Sequence, residues 1–348
     1  MVETVDVLVV GGGPAGALAA QAAAEAGAAV ILVDKKRRLG AQPHCAEFVP
    51  RLLDTEVSIP PRAKVQPVIG METRLSGGVG GFMDGPGWIL DRQVFDHDLA
   101  RRAAQAGARV WAGAGLRGRQ GDDWLVRRAG RERRVRAGCL VAADGAGSFL
   151  ARLLEMARPD LLVGRQVEVV LRQPLDHTVV WLEQRFTGGY AWLFPKGPVA
   201  NLGLGVRAAA GPARLLEDLR GHLIDRGIIK PGVLAVTGGA IAVSGPRPEL
   251  HQGRVLFCGD AAGLTHPVTG AGIPQAVFSG QEAGRAAAAL AGGDFGAADQ
   301  YAHQVTVRYG RYLQRGLEAR RRWDQQWGQD DFSRLMRQTW PAWAGRAN

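Results

Sequence analysis

Cysteine is scarce in this chain of 348 residues, which has three, Cys45, Cys139 and Cys258, far apart and without CxxC or metal-ligand spacing. Neither a disulfide framework nor a zinc module is therefore expected. Long hydrophobic runs are missing too: none approaches the roughly 20 residues that a membrane-crossing helix needs, and no basic start precedes a signal-peptide core. The expectation is a cytoplasmic protein. Low-complexity sequence is absent, since 49 glycines and 18 prolines punctuate a chain with 46% hydrophobic residues, enough for ordinary globular cores. Acidic residues are outnumbered, 33 against 43 basic, giving a formal charge of +10. That balance fits nucleic acid, an anionic membrane surface or an acidic substrate, but no nucleic-acid module accompanies it. The length suggests about two domains.

The first thirty-odd residues read as strand, glycine turn, helix, strand and acidic stop. Residues 5–10 are an apolar, β-branched run of the kind buried on both faces of a parallel sheet. Gly11, Gly13 and Gly16 follow at GxGxxG spacing. The first permits a tight turn, the second lets backbone approach a pyrophosphate, and the third lets the helix pack on the strand. Residues 15–26 are an alanine-rich helix whose free N–H groups can hold phosphates, with Gly27 as its cap. The next strand, residues 30–33, ends at Asp34, placed to take both ribose hydroxyls and to repel a 2′-phosphate.

The loop KKRRLGAQPHCAEFVPRLLD is then expected to run past the nucleotide toward the middle of the molecule. Cys45 lies on it beside His44 and Glu47; taken alone, such a cysteine is more often a small buried hydrophobe than a reagent. Residues 65–88 are glycine-broken and read as short strands beginning a second layer. A strand reaching Leu90 leads to a helix at about 93–106, with Gly107 as cap. Arg92, at its entrance, is either a surface arginine or one that meets phosphate or ribose. Residues 127–136, RRAGRERRVR, read as an exposed hairpin, and the strand after it ends at Ala143, Asp144 and Gly145, a second turn suited to the nucleotide.

From 164 to 243 the pattern changes to short alternating strands with one helix near 213–226, which indicates antiparallel sheet. Its aromatics, Trp181, Phe186, Tyr190, Trp192 and Phe194, serve either as core or as the lining of a long apolar pocket. Residues 255–258 return to the first style, followed by Gly259, Asp260, a proline- and glycine-rich loop and a helix over 273–290, a second helix start that can face phosphate. A first domain made of 1–163 and 245–295 would thus enclose a second at 164–244, with a helical region over 296–348. That last region carries Arg308, Arg311, Arg315, Arg320, Arg321 and Arg322 among apolar residues. It is either a solvated face or a contact for an anionic membrane, centred on Arg320 to Arg322.

Together, GGGPAG with Asp34, the Arg92 junction, ADGAGS and GDAAGLTHPVTGAGIPQA resemble the flavoprotein group that includes p-hydroxybenzoate hydroxylase. GAQPHCAE resembles the cysteine loop of the geranylgeranyl reductase family, and YAWLFP, residues 190–195, its YxWxFP signature. The resemblance covers nearly the whole chain. It implies an α/β protein, a Rossmann-type FAD-binding domain with an inserted antiparallel β-sheet substrate domain and a helical C-terminus. It implies FAD, held by Gly11, Gly13, Pro14, Ala15, Gly16, Asp34, Lys35, Cys45, Ala46, Arg92, Leu116, Asp144, Asp260, Gly270, Ala271, Gly272 and Ile273. Cys45 would lie over the flavin as proton donor or relay, and Tyr190, Trp192 and Phe194 would wall an isoprenoid cavity. The chain departs from the archaeal members in being shorter and in carrying His44 where they usually have arginine and Phe48 where they usually have glycine.

The implied chemistry is hydride transfer from reduced flavin to a carbon–carbon double bond, with a proton from a nearby acid in a dry pocket. With a single complete nucleotide-binding unit, an electron donor, NAD(P)H or a ferredoxin, would have to dock transiently. The alternatives are an FAD-dependent monooxygenase of the same fold and a non-catalytic flavin-binding or interaction protein.

Overall fold

The computed structural model describes residues 2–41, 43–75, 78–329 and 331–341, arranged on two eight-stranded sheets. The first is built on β1 (Val2–Val10), whose Val7, Leu8 and Val9 are fully buried, as a strand covered on both faces requires. β1 runs parallel to β2 (Val30–Asp34) and β9 (Arg131–Ala142), with Val9 level with Leu32 on one side and Val141 on the other. β6 (Arg109–Ala112) extends the sheet beyond β2, and β16 (Val255–Phe257) with β15 (His251–Gln252) extends it beyond β9. β7 (Ala114–Gln120) and β8 (Asp123–Arg128) join β9 in an antiparallel meander, whose exposed rim is the arginine-rich hairpin.

Helices α1 (Pro14–Glu25) and α5 (Ile273–Ala291) pack against this sheet and against each other. Small residues make their seam: a Cβ on Gly280 would stand 2.3 Å from the Ala15 carbonyl oxygen, and one on Gly284 2.2 Å from that of Ala19. α2 (Arg92–Gln105) packs beside α1 and is capped by the Asp91 carboxylate, which accepts from Gln93 and Val94 N–H. The short α3 (Phe149–Leu153) follows β9.

The second sheet has the order β14 (Ile229–Ala242), β10 (Leu161–Leu171), β13 (Val199–Val206), β12 (Tyr190–Lys196), β11 (Thr178–Leu182), β4 (Lys64–Leu75), β5 (Gly78–Leu90) and β3 (Phe48–Pro50). It is thus assembled from two stretches of chain, 48–90 as well as 161–242. Residues 65–88 do not form short strands but two long antiparallel strands with three register shifts, two of which take up Gly80 and the Gly85–Pro86 pair. α4 (Pro212–Asp225) covers one face, packing Leu216, Leu219 and Leu223 on Val167, Leu193, Leu202 and Leu204.

The chain ends in α6 (Ala297–Gln326) and α7 (Phe332–Thr339). α6 is anchored by Val305, Leu313 and the Tyr301 hydroxyl, which donates to the Phe257 carbonyl. Here the reading of a triple arginine cluster needs correction: Arg321 and Arg322 are exposed, but Arg320 is 2% exposed, on the helix face turned to the protein. Its Nη2 donates to the Gly188 carbonyl, and its guanidinium lies over Trp323. Among the described residues no helix is long and apolar enough to cross a membrane. Gln42 of the cysteine loop, Ser76 and Gly77 of the glycine-broken segment, and Asp330 and residues 342–348 of the expected helical end lie outside the described residues.

Candidate functional site

The glycine turn after β1 does three separate jobs. Gly11 has φ +105°, and a Cβ there would stand 2.2 Å from the Ala143 carbonyl oxygen; at Gly16 it would stand 1.8 Å from that of Gly11. These two let chain pass chain. At Gly13 a Cβ would meet nothing within 4 Å, so this glycine faces open space at the N-terminus of α1, beside Pro14 and Ala15. Free amides and room for a diphosphate coincide there. Asp34 closes the turn: Oδ2 accepts from Gly12 N–H at 2.6 Å and Oδ1 from Lys36 N–H at 2.7 Å, while Lys35 is exposed next to it.

Across the sheet, Asp144 Oδ2 accepts from Phe149 and Leu150 N–H at 2.7 and 3.1 Å, so it caps α3, while its Oδ1 is buried without a partner. A buried carboxylate oxygen in that state is suited to a donor from a ligand. Leu116 sits on β7 with its side chain in the apolar core. The loop before α5 forms the far side. Asp260 Oδ1 accepts from Thr265 Oγ1 at 2.8 Å, Gly270 adopts φ +68°, and Gly272 precedes Ile273 at the start of α5. Its shape is set by a residue not foreseen from sequence, His266, whose Nδ1 accepts from Val268 and Thr269 N–H. Burial lowers the His266 pKa to about 4, so the ring is neutral. An open glycine, two converging helix starts, a terminal carboxylate on β2 and an orphaned carboxylate oxygen together fit FAD.

The cysteine loop crosses from this cradle to the second sheet and is tied to it. Gln166 Nε2 on β10 donates to the Cys45 carbonyl at 3.1 Å, and Gln166 Oε1 accepts from Trp192 Nε1 at 3.0 Å. Asn201 Nδ2 on β13 donates to the Ala46 carbonyl at 3.4 Å and to Glu47 Oε2 at 2.9 Å. Lys196 Nζ on β12 reaches the same Oε2 at 2.6 Å, and Arg92 N–H donates to Oε1 at 3.1 Å. Glu47 N–H donates to Cys45 Sγ at 3.2 Å. Arg92 itself is buried and turns its guanidinium to Asp96 in a bidentate pair at 2.7 and 2.8 Å. Burial pushes the Cys45 thiol up, Glu47 and Asp96 push the same way, and Arg92 and the Glu47 N–H pull against them. The thiol therefore keeps its proton at neutral pH.

Gln166, Lys196 and Asn201 were not singled out by the sequence, and Glu47 was noted only as a neighbour of Cys45. The available signal was polarity: Asn201 interrupts an otherwise apolar strand, and both it and Gln166 lie on the face that also presents Trp192.

The aromatic stripe divides by strand alternation. Trp181 and Phe186 pack under α4, whereas Tyr190, Trp192 and Phe194 belong to the opposite face with Ala46 and Phe48. Glycine makes room for the indole: a Cβ on Gly203 would stand 2.5 Å from the Trp192 ring. The Tyr190 hydroxyl donates to the Thr269 carbonyl, linking this face to the cofactor loop, and burial pushes its pKa up. Over the same face lie Phe332, Leu335 and Met336 of α7 and Trp340, whose ring meets Tyr190 edge-on at 5.0 Å.

Fold and cradle together define an FAD-dependent oxidoreductase, and residues 6–43 match the family model described as FAD dependent oxidoreductase. Among solved structures, the chain superposes with TM-score 0.82 over 99% of both chains on a geranylgeranyl bacteriochlorophyll reductase-like protein from Thermoplasma acidophilum, at 24% identity. A flavin-dependent brominase shares the fold at TM-score 0.73 and 19% identity, covering 97% of this chain and 90% of that one. In sequence it is 34% identical over 304 residues, 81% of this chain and 80% of the relative, to digeranylgeranylglycerophospholipid reductase 1 of Methanopyrus kandleri. It is 31% identical to the digeranylgeranylglycerophospholipid reductase of Methanothrix thermoacetophila, over 95% of this chain and 90% of the relative. The chain belongs to the geranylgeranyl reductase family of FAD-dependent oxidoreductases.

Proposed function

We propose that this protein reduces carbon–carbon double bonds of an isoprenoid or prenyl-lipid substrate, with Cys45 supplying the proton. The observation that carries this reading is the position of Cys45, on a loop tied to the second sheet through Gln166 and Asn201 beside an apolar aromatic face. Bound and reduced FAD supplies the hydride for one alkene carbon. Tyr190, Trp192 and Phe194 hold the chain and exclude water, which an unactivated alkene needs because its protonation cannot compete with bulk solvent. Cys45 gives its proton to the other alkene carbon, directly or through a water held at Sγ, and the thiolate recovers a proton from solvent. The cofactor-binding set proposed is Gly11, Gly13, Pro14, Ala15, Gly16, Asp34, Lys35, Cys45, Ala46, Arg92, Leu116, Asp144, Asp260, Gly270, Ala271, Gly272 and Ile273. An NAD(P)H or ferredoxin donor restores the two electrons by transient docking, and the exposed Arg311, Arg315, Arg321 and Arg322 of α6 contribute contact with an anionic membrane.

Anaerobic stopped-flow tests the reading: flavin reduced without oxygen should be reoxidised by geranylgeranyl lipids, and Cys45→Ala should slow that step about 10² to 10⁴-fold with FAD still bound. Oxygen incorporation into product, with wild-type turnover in the alanine variant, would establish a monooxygenase instead.

A further inference from the structure

Glu47 stands out among the side chains around Cys45 because every polar atom it has is used. Its N–H goes to Cys45 Sγ, its carbonyl accepts from Leu90 N–H at 2.9 Å, Oε1 takes Arg92 N–H, and Oε2 takes both Lys196 and Asn201. It is 4% exposed and holds φ +71°, a left-handed conformation few residues other than glycine adopt. A non-glycine residue persists there only when its surroundings over-determine it. The surroundings here come from both halves of the molecule: Arg92 opens α2 of the cofactor half, while Lys196 and Asn201 lie on β12 and β13 of the second sheet.

We propose that Glu47 is a positioning residue, a carboxylate clamp from Lys196 and Asn201 to the Arg92 amide that fixes where the Cys45 thiol stands. This rests on the reading of Cys45 as the proton donor. Glu47 N–H meets the sulfur two residues earlier, the left-handed conformation turns the chain that follows so that the Glu47 carbonyl meets Leu90 N–H, and the carboxylate anchors this stretch to both halves. The charged and titratable groups facing the thiol are Glu47 itself, Arg92 and Asp96 from α2, and Tyr190 from β12. Glu47 is thus the anion on the thiol's own loop. Removing its charge favours the thiolate; removing its side chain frees the loop.

The test uses the FAD-loaded protein and two variants. Glu47→Gly keeps a backbone that tolerates positive φ and deletes only the anchors. Glu47→Gln keeps the shape and deletes the charge. The first readout is alkylation of Cys45 by iodoacetamide against pH, followed by the mass of its peptide. Glu47→Gln, which keeps the N–H on Sγ and loses only the anion, should reach half-maximal rate at lower pH than the wild type, and Glu47→Gly should depart from the wild-type profile as the loop is freed. The second readout is alkene-dependent flavin reoxidation, which Glu47→Gly should slow about 10²-fold, the cost of a donor displaced by about an ångström. Glu47→Gln should restore part of that loss. Alkylation profiles that coincide with the wild type in both variants would overturn the proposal, and so would equal turnover defects in the two. If Cys45→Ala turns over normally while the alkylation profiles still move, the clamp stands and the assignment of the proton to Cys45 fails.

Discussion

Acidification should loosen the cofactor loop through one side chain, His266. The ring is 4% exposed, its Nδ1 accepts from two backbone N–H groups, and burial holds its pKa at about 4. An unfolded histidine titrates near pH 6.5, roughly. The folded state therefore favours the neutral ring, so the stabilisation is fully present above that unfolded value and is lost as pH falls toward the folded one. With those two values, linkage gives a loss of about 2 kcal/mol between neutrality and pH 5. Protonated Nδ1 can no longer accept, which releases Val268 and Thr269, and with Thr269 the carbonyl that receives the Tyr190 hydroxyl. The assay is urea unfolding of the FAD-loaded protein at both pH values, beside His266→Asn, whose side-chain oxygen accepts without titrating. The variant should lose about 2 kcal/mol of the pH-dependent part. Equal pH dependence in the two proteins would refute the argument.

Gly13→Asp should abolish the flavin absorbance while leaving the thermal transition in place, since the new side chain enters space that only the cofactor needs; a yellow variant would misplace the diphosphate. Gly284→Ala should destabilise by about 1–3 kcal/mol, as overpacking against backbone does, because its Cβ meets the Ala19 carbonyl and α5 must move off α1; an unchanged urea midpoint would show that the seam can shift freely. Replacing Arg321 and Arg322 by glutamine should weaken co-sedimentation with anionic vesicles by about 1 kcal/mol each, whereas Arg320→Gln should lower the urea midpoint and leave vesicle binding alone. Vesicle binding that responds to Arg320 and not to the other two would contradict the exposed face assigned to α6.

The cofactor half was legible because each of its parts is local. A β-branched run, three glycines at fixed spacing and a terminal acid lie within thirty-odd residues, and the φ +105° of Gly11 and the closeness of Gly16 are direct consequences of that spacing. The second sheet was half legible: alternation gave the strands after 160, but the long hairpin of β4 and β5 was hidden because its glycines and bulges break the alternation that marks a strand. The polar anchors of the cysteine loop were out of reach for another reason. Gln166 meets Cys45, and Asn201 meets Glu47, across more than a hundred residues of chain, and nothing local in either partner announces the other. Arg320 failed as a surface residue because the three consecutive arginines 320–322 point in different directions around the helix, and Arg320 faces the core.

The glycine seam between α1 and α5 has a consequence for how the protein comes into being. The nucleotide fingerprint is made before the second sheet, yet the helix that lies against it, and the loop that completes the cradle, are made only after that sheet. Contacts so distant in the chain form late and hold the nascent protein open until they do. The first βαβ unit must therefore wait, folded or not, without the partner that Gly280 and Gly284 bring to it. Flavin incorporation has to wait for α5, and a chain cut anywhere between the fingerprint and α5 should emerge colourless although its fingerprint is intact.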